Sequence, residues 1–393
     1  MVIKTFAFSR IPKIHFGNGN INILDLIISG YGNTVLIVTG ASSFESTGKT
    51  DAIGKALKKK SVTPYYLKVT GEPSPELIDE AVTRYKDYSI DVVCAIGGGS
   101  VVDTGKAVSA MLPGGGSVFD YLEGVGTGKK HDGAKIPFIA VPTTAGTGSE
   151  ATKNAVLSNI GSDGYKKSLR HDNFVPDIAV IDPELMLSCP QHVTSSTGMD
   201  AMTQLMEAYV STKASPLTDA VAYSGLGYAV DNLIPACTSG AGNIEVRAGM
   251  AYAALLSGIT LANAGLGTVH GLASVIGGMF DIPHGVVCGT IMGAAVRVTI
   301  DRLRQEKDDL RGLKKYADIG RLISKSKDAD INRSCDMLIM KLAEWTEMLQ
   351  IPRLSAYGIT ETHIDSIVKK TDNKNNPVDL DRDDIRRIIV SRL

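Results

Sequence analysis

Short apolar runs alternate with amphipathic segments through the first half of the chain. The apolar runs predict strands covered on both faces, and the segments whose apolar positions repeat at helical spacing predict helices. The predicted strands are 34–39, 64–69, 91–96, 137–141 and 178–181, and the predicted helices are 48–60, 75–88 and 100–112. Strands that alternate with helices indicate a parallel α/β sheet.

Beyond about residue 190 the strand signals disappear. Segments 201–211 and 251–264 carry helical periodicity, and Asp381 with Asp384 three positions later predicts the start of a short final helix. A length of 393 residues also exceeds one ordinary core. We therefore predict an α/β domain over residues 1–190 and an all-α domain over residues 191–393.

The charge and the cysteines of the chain indicate its partners and its cellular compartment. The formal net charge of −1 gives no reason to expect nucleic-acid or membrane-surface partners. The five cysteines are odd in number and form no CxxC pair, which fits a reducing compartment. The N-terminus lacks an apolar signal region, and no window reads as a membrane span. We expect a cytoplasmic protein.

Two glycine-containing loops follow predicted strands. Gly97, Gly98, Gly99 and Ser100 lie between a strand and a helix, where the backbone can approach a pyrophosphate and the helix N-terminus offers free N–H groups. The segment 142–150 (PTTAGTGSE) would flank the same ligand beyond the strand ends. The GxGxxG fingerprint is absent, so a tight connection and a Ser/Thr-rich turn stay open as alternatives.

The second half of the chain carries candidate metal ligands. Asp200 and Gln204 lie four positions apart on one helical face, and His270 and His284 each stand beside glycine in apolar surroundings. Carboxylate and imidazole donors suit Fe²⁺, Zn²⁺ or Mn²⁺ better than Mg²⁺ or Ca²⁺. A single histidine is more often a core residue than a ligand, so the spacing alone leaves both interpretations open.

Six sequence pieces, in order, carry a family resemblance. They are IPKIHFGNG (11–19), AIGGGSVVDTGKA (95–107), VPTTAGTGSEAT (141–152), VIDPELM (180–186), GMDAMTQLMEAYVS (198–211) and GLGTVHGLASVIGGMFDIPHG (265–285). On these pieces the chain resembles the iron-containing (group III) alcohol dehydrogenases over nearly its whole length. The resemblance implies a Rossmann-like domain followed by a helical domain, as in dehydroquinate synthase, with the active site between them. It also implies hydride transfer between NAD(P)(H) and a small alcohol/aldehyde or ketone pair.

The resemblance implies a metal site with two departures from the family pattern. Asp200, His270 and His284 match three of its four ligand positions and are the expected catalytic residues, with Fe²⁺ as the expected metal and Zn²⁺ as the alternative. The fourth position, normally histidine, is Gln204, whose neutral oxygen would ligate more weakly. Ser274 stands where many members carry an additional active-site histidine, which puts a proton relay there in doubt.

The resemblance also implies a cofactor site. The expected contacts are Gly40, Ser42, Ser43, Ser74, Gly97, Gly98, Gly99, Ser100, Asp103, Thr143, Thr144, Lys166 and Leu185. NAD-preferring relatives carry an acidic residue near the position of Gly40, where it binds the ribose 2′-hydroxyl. This chain has no carboxylate there to repel a 2′-phosphate, which favours NADP(H) over NAD(H).

Three alternatives remain open from the sequence. In these alternatives the chain is a dehydroquinate-synthase-like enzyme, a glycerol-dehydrogenase-like enzyme, or a nucleotide-binding relative that binds no metal and catalyses no reaction. The apolar residues that follow His270 favour a small uncharged substrate; they are Leu272, Val275, Ile276, Met279 and Phe280. The resemblance further implies a homo-oligomer, a dimer or larger.

Overall fold

The computed structural model describes residues 5–42, 44–306 and 310–393. Within these residues the strands β1–β8 are Lys13–Phe16, Thr34–Gly40, Thr63–Val69, Val92–Gly97, Phe138–Pro142, Asn154–Asn159, Tyr165–Arg170 and Ile178–Ile181. The helices α1–α4 are Leu24–Ser29, Thr50–Lys59, Pro75–Tyr85 and Gly99–Met111. The helices α5–α13 are Gln191–Val210, Pro216–Cys237, Ile244–Ala264, Thr268–Met279, His284–Gln305, Arg311–Ser324, Ile331–Met348, Glu361–Lys370 and Arg382–Val390.

Six strands form one parallel sheet in the order β1-β8-β5-β4-β2-β3. Its central strands β4 and β5 are buried along their whole length. In β2, Leu36 and Val38 pack into the core on one face, and Val35 and Ile37 pack into the core on the other. This two-sided burial explains the unbroken apolar runs in the sequence, and the predicted parallel α/β fold is confirmed.

The strand order changes direction between β2 and β4, because the chain runs outward from β2 to β3 and then returns to β4 on the other side of β2. Open α/β sheets bind ligands beyond the carboxyl ends of the strands at such a point. Gly40 ends β2, Gly97 ends β4 and Pro142 ends β5, so all three lie at this edge.

The helical half packs directly against the loop that follows β5. A Cβ atom added to Gly258 of α7 would lie 2.0 Å from the carbonyl oxygen of Gly148, so only glycine allows this approach. Among the described residues, α7 is the one helix long and apolar enough to cross a membrane, but 67% of its apolar window is buried. It is therefore accounted for as a core helix.

The sequence missed two features of the sheet region. β1 joins the edge of the parallel sheet beside β8, and β6 and β7 form a separate antiparallel hairpin. Asp381 caps α13 as predicted, in a reciprocal arrangement with Asp384. The change from strands to helices falls between β8 and α5, and the division into two domains at residue 190 stays a prediction.

Candidate active site

Three helices bring four donor side chains to one point. Asp200 lies on α5, His270 on α8, and His284 and Cys288 on the first turns of α9. His270 Nε2 lies 3.2 Å and His284 Nε2 lies 3.8 Å from Asp200 Oδ1. The Cys288 Sγ atom lies 3.7 Å from each of these imidazole nitrogens. One ligand atom from each residue falls within 4.8 Å of all the others, and we call these four residues the donor cluster.

Local sequence explains how α9 reaches this point. The helix begins at His284 directly after Pro283, whose fixed φ suits a helix start. A Cβ atom on Gly285 would lie 2.5 Å from the carbonyl oxygen of Ser196 in α5. The glycine beside His284 therefore lets α9 pack against α5, which carries Asp200.

A carboxylate outside the donor cluster orients His270. Glu207 Oε2 lies 2.7 Å from His270 Nδ1, and Glu207 Oε1 accepts a 2.7 Å hydrogen bond from the Val269 amide. This pairing places the Nδ1 proton toward Glu207 and turns Nε2 toward Asp200, the arrangement that metal-binding histidines commonly show. Burial alone lowers the pKa of His270, but Cys288, Glu207 and Asp200 outweigh it and raise the pKa well above its usual range. The carboxylates of Glu207 and Asp200 therefore favour a positive charge at this point, which either a proton or a metal ion supplies.

His284 and Asp200 are already in the protonation states that metal ligands need. Burial lowers the pKa of His284 to about 4, so its imidazole is neutral near pH 7. Burial raises the pKa of Asp200, but His284 and His270 outweigh it and hold the pKa below its usual range. A carboxylate and a neutral imidazole bind divalent metals without first losing a proton, whereas the extra proton on His270 would give way to the bound metal. The donor set therefore fits the metal that the family resemblance implies.

Gln204 borders the donor cluster but turns its oxygen away from it. Its Oε1 accepts a 3.0 Å hydrogen bond from Ser257 Oγ, and its Nε2 lies 3.5 Å from Asp200 Oδ2. Its role as a ligand stays a prediction. Cys288 is the donor that the sequence analysis missed, although its position four residues after His284 places both on one face of α9. Burial raises the pKa of the Cys288 thiol to about 12.

A cavity of about 810 Å³ joins the donor cluster to the sheet edge. His270, His284 and Gln204 line it from the helical side. The predicted cofactor positions that line it from the sheet side are Gly99, Ser100, Asp103 and Lys166. The structure thus brings the two regions that the sequence singled out to one space, large enough for a ligand of cofactor class.

The glycine turn and the loop after β5 contact each other at the mouth of this cavity. A Cβ atom on Gly99 would lie 2.9 Å from Thr147 Oγ1, and one on Gly98 would lie 3.5 Å from Thr144 Oγ1. Thr143 directly follows β5, and its hydroxyl is buried without a hydrogen-bond partner in the structure. Both loops therefore lie at the predicted edge, and their role as cofactor contacts stays a prediction.

The remaining predicted cofactor residues divide by location. Ser74 accepts a 3.2 Å hydrogen bond from the Leu77 amide and caps α3. Leu185 is buried in the core beside the sheet. Ser42 is exposed just beyond β2, and Ser43 lies outside the described residues. Lys166 forms a 2.8 Å ion pair with Glu72, so this side chain is partnered and largely buried.

Asp103 belongs to a buried network under the glycine turn. Its carboxylate accepts hydrogen bonds from Ser149 Oγ and from the Val156 amide, the latter at 3.1 Å. Lys106 lies one turn later, 3.9 Å from Asp103, and its ammonium donates to Ser149 O at 2.8 Å and to Thr152 Oγ1 at 2.9 Å. We call Asp103, Lys106, Ser149 and Thr152 the lysine cluster. It ties α4 to the loop after β5.

The segment after His270 contributes less to the cavity than its apolar character indicates. Of the five apolar residues singled out there, Val275 lines the cavity, whereas Leu272 and Ile276 pack into the helical core. Ser274 Oγ donates to the carbonyl oxygen of His270 at 2.8 Å, and Lys374 Nζ lies 3.4 Å from that hydroxyl. Lys374 comes from the segment between α12 and α13, and no sequence pattern predicted that it would lie here.

A parallel sheet with a glycine turn facing a carboxylate–imidazole cluster across one cavity is typical of metal-dependent nicotinamide dehydrogenases. Comparison with known proteins agrees. The family described as iron-containing alcohol dehydrogenase matches residues 12–183, and the C-terminal family of Fe-containing alcohol dehydrogenases matches residues 194–393. The chain belongs to the iron-containing alcohol dehydrogenase family.

Individual relatives cover nearly the whole chain. A long-chain-alcohol dehydrogenase from Geobacillus thermodenitrificans is 31% identical over 91% of this chain and 88% of its own length. An NADPH-dependent butanol dehydrogenase from Clostridium saccharobutylicum is 29% identical over 97% of this chain and 96% of its own length. A solved 1,3-propanediol oxidoreductase is 27% identical, with a TM-score of 0.88 over 99% of this chain and 100% of that one.

These findings confirm the predicted family and activity class. The protein is an oxidoreductase that transfers hydride between NAD(P)(H) and an alcohol/aldehyde pair with the help of a divalent metal. Its substrates are small molecules.

Proposed function

We propose that Asp200, His270 and His284 hold the divalent metal of this enzyme. The observation that carries the proposal is the convergence of their donor atoms, with both Nε2 atoms within 3.8 Å of Asp200 Oδ1. When bound, a divalent metal supplies Lewis-acid stabilisation of negative charge on the alcohol or aldehyde oxygen. Two of these residues, His270 and His284, line the cavity opposite the glycine turn, where a nicotinamide would face them.

The protein's own groups would position the two reactants. The first-turn amides of α4, at Gly99 and Ser100, are free of helical partners and suit the pyrophosphate of the cofactor. Glu207 would fix the ring of His270 through its hydrogen bond to Nδ1. The opposed walls of the cavity would bring the cofactor and the alcohol carbon together and limit access of water.

Within the nicotinamide cofactors, we propose NADP(H) over NAD(H). The support is the end of β2, where Gly40 and Ser42 place no carboxylate against a 2′-phosphate. We expect kcat/KM for NADPH to exceed that for NADH, and Gly40→Asp to lower the NADPH value more than the NADH value. Gly115→Asp, which adds the same charge in open space, is the matched control. Equal kcat/KM values for both cofactors in the unchanged protein would refute the proposal.

Fe²⁺ is the metal we propose, with Zn²⁺ as the alternative that the same donors accept. Removing the metal with a chelator should abolish NADPH-dependent aldehyde reduction, and adding Fe²⁺ should restore it to a higher kcat than adding Zn²⁺. Full activity of the chelator-treated, metal-free protein would contradict the site. Restoration by Zn²⁺ alone would contradict only the choice of Fe²⁺.

We further propose a homo-oligomer in the cytoplasm, in which residues 1–190 and 191–393 form separate domains. β1 is an edge strand of the sheet, and Phe6, Ile11 and Phe16 are exposed on and before it, which is a surface that a second copy would cover. All five cysteines are free, as a reducing compartment favours. Light scattering on the purified protein tests the oligomer, and a monomeric mass at micromolar concentration would refute it.

A further inference from the structure

We propose that Cys288 is a fourth protein ligand of the metal, in the coordination place that Gln204 leaves unfilled. This inference rests on the proposed function, because it needs Asp200, His270 and His284 to hold the metal. It adds a thiolate to a site for which the sequence predicted only oxygen and nitrogen donors.

The distances within the donor cluster match the edges of a tetrahedron around one ion. Zinc–nitrogen and zinc–oxygen bonds near 2.1 Å and zinc–sulfur bonds near 2.3 Å place tetrahedral donors about 3.3–3.6 Å apart. The two nitrogen–oxygen separations to Asp200 are 3.2 and 3.8 Å, and both sulfur–nitrogen separations of Cys288 are 3.7 Å. Four of the six donor–donor separations therefore lie within a few tenths of an ångström of tetrahedral edges, and the other two are no longer than 4.8 Å.

The side chain of Gln204 makes hydrogen bonds to protein groups instead of pointing its oxygen at the donor cluster. Ser257 Oγ lies 3.0 Å from its amide oxygen and 2.8 Å from the carbonyl oxygen of Ala254, and the single hydroxyl proton is shared between these two acceptors. The amide nitrogen of Gln204 lies 3.5 Å from Asp200 Oδ2, whereas the imidazole contacts of Asp200 are to Oδ1. Gln204 thus steadies Asp200, whereas the sulfur of Cys288 faces the two imidazole nitrogens directly.

The position of Cys288 on α9 supports thiolate formation next to a metal. It lies one turn after His284 on the same face of the helix, and a thiol that coordinates a divalent metal gives up its proton to the charge of the metal. The side chain is buried in the donor cluster, where its sulfur contacts both imidazole nitrogens and lies within hydrogen-bonding reach of Asp200. A thiolate is a soft donor that suits Zn²⁺ and Co²⁺, so its presence makes Zn²⁺ a stronger competitor of Fe²⁺ at this site.

Cobalt spectroscopy on the full chain tests the inference without an activity assay. The metal-free protein is titrated with Co²⁺ alone, and the near-ultraviolet region is monitored for the thiolate-to-cobalt charge-transfer band. We expect about one Co²⁺ per chain and an intense band in the unchanged protein. Cys288→Ser should lose the band and bind Co²⁺ at least about 10-fold more weakly, whereas Gln204→Ala should keep the band.

Cys335→Ser is the matched control, because Cys335 is equally buried but lies on α11, outside the donor cluster. It should keep both the band and the affinity. Stoichiometric Co²⁺ binding without a band in the unchanged protein would overturn the role of Cys288 and leave the proposed function intact. Persistence of the band in Cys288→Ser would do the same. Absence of Co²⁺ binding would overturn both. The unchanged protein decides the question even if a variant fails to fold, since Cys288 is the one cysteine of the donor cluster.

Discussion

The donor cluster and the lysine cluster are both buried polar groups, but they differ in how their charges are satisfied. In the lysine cluster the ammonium of Lys106 has four protein oxygens at 2.8–3.2 Å, which are enough acceptors for its three N–H groups. In the donor cluster a carboxylate oxygen of Asp200, two imidazole nitrogens and a sulfur face one another, and four of their six separations are 3.2–3.8 Å.

This difference separates a structural network from a binding site. A buried ammonium whose N–H groups all reach protein oxygens holds the fold together and needs no further partner. A cluster whose lone pairs converge on one point keeps that capacity and needs a cation to be stable. Substitutions in or beside the donor cluster should therefore lower metal binding, whereas those in or beside the lysine cluster should change stability.

The largest effect is expected from Asp200→Asn. The amide keeps the shape of the side chain but removes the charge that the metal needs, so we expect metal content to fall below detection and kcat to fall at least about 10³-fold. Metal analysis and aldehyde-reduction kinetics measure this. Asp182→Asn is the matched control: Asp182 is also buried, but it accepts hydrogen bonds from the Gly19 and Ile21 amides. An Asp200→Asn protein with full metal content would contradict the distinction between the clusters.

Lys106→Met should lower the unfolding free energy and leave metal binding unchanged. Methionine fills a similar volume, but it leaves the carboxylate of Asp103 buried without its cation, which costs about 3–5 kcal/mol when a buried pair is broken. Urea denaturation of the unchanged and variant proteins measures the loss. The folded variant should still bind one metal per chain. Loss of metal without loss of stability would show that the two clusters are not independent.

Glu150, next to Ser149 of the lysine cluster, should give a pH-dependent effect. Burial raises its pKa from 4.5 to about 7, so the folded protein holds this proton over a range in which the unfolded chain has released it. Its contribution to stability is therefore present below pH 4.5 and is lost as the pH rises to about 7, by at most about 3 kcal/mol.

Glu150→Gln removes this titration, so the unfolding free energy of the variant relative to the unchanged protein should rise across the same interval. Denaturation midpoints at several pH values provide the measurement. A pH-independent difference between the two proteins would contradict the raised pKa of the Glu150 carboxyl.

The smallest effect is expected from Glu207→Gln. The amide would still contact His270 Nδ1 but would no longer hold it as a charged partner, and such changes behind a ligand typically cost 10–100-fold in metal affinity. Competition with a chelating dye gives the dissociation constant. Unchanged affinity would mean that the donor cluster needs no support from outside it.

The sheet was predictable because its signals are local. The strand 91–96, the glycine turn and the helix that follows are contiguous in the chain. A central strand that is buried on both faces appears in the sequence as one continuous apolar run. β1 and the β6–β7 hairpin were missed because they are short or partly exposed, and their pairing partners lie elsewhere in the chain.

The donor cluster was predictable only in part. Asp200 and His270 lie 70 residues apart, and only the family resemblance joined them before the structure did. Cys288 carries a local signal, its spacing from His284, but a buried cysteine on a helix face is an ordinary core residue in a single sequence. Lys374 and Glu207 become visible only when α12, α5 and α8 are placed in space.

Anomalous diffraction from crystals of the unchanged protein, grown with Fe²⁺ or Zn²⁺ and measured at the absorption edge of that metal, tests the central claim most directly. We expect one strong peak about 2.0–2.2 Å from Asp200 Oδ1 and from the Nε2 atoms of His270 and His284. Crystals of active enzyme with no peak at this point, or with the metal bound elsewhere, would contradict it.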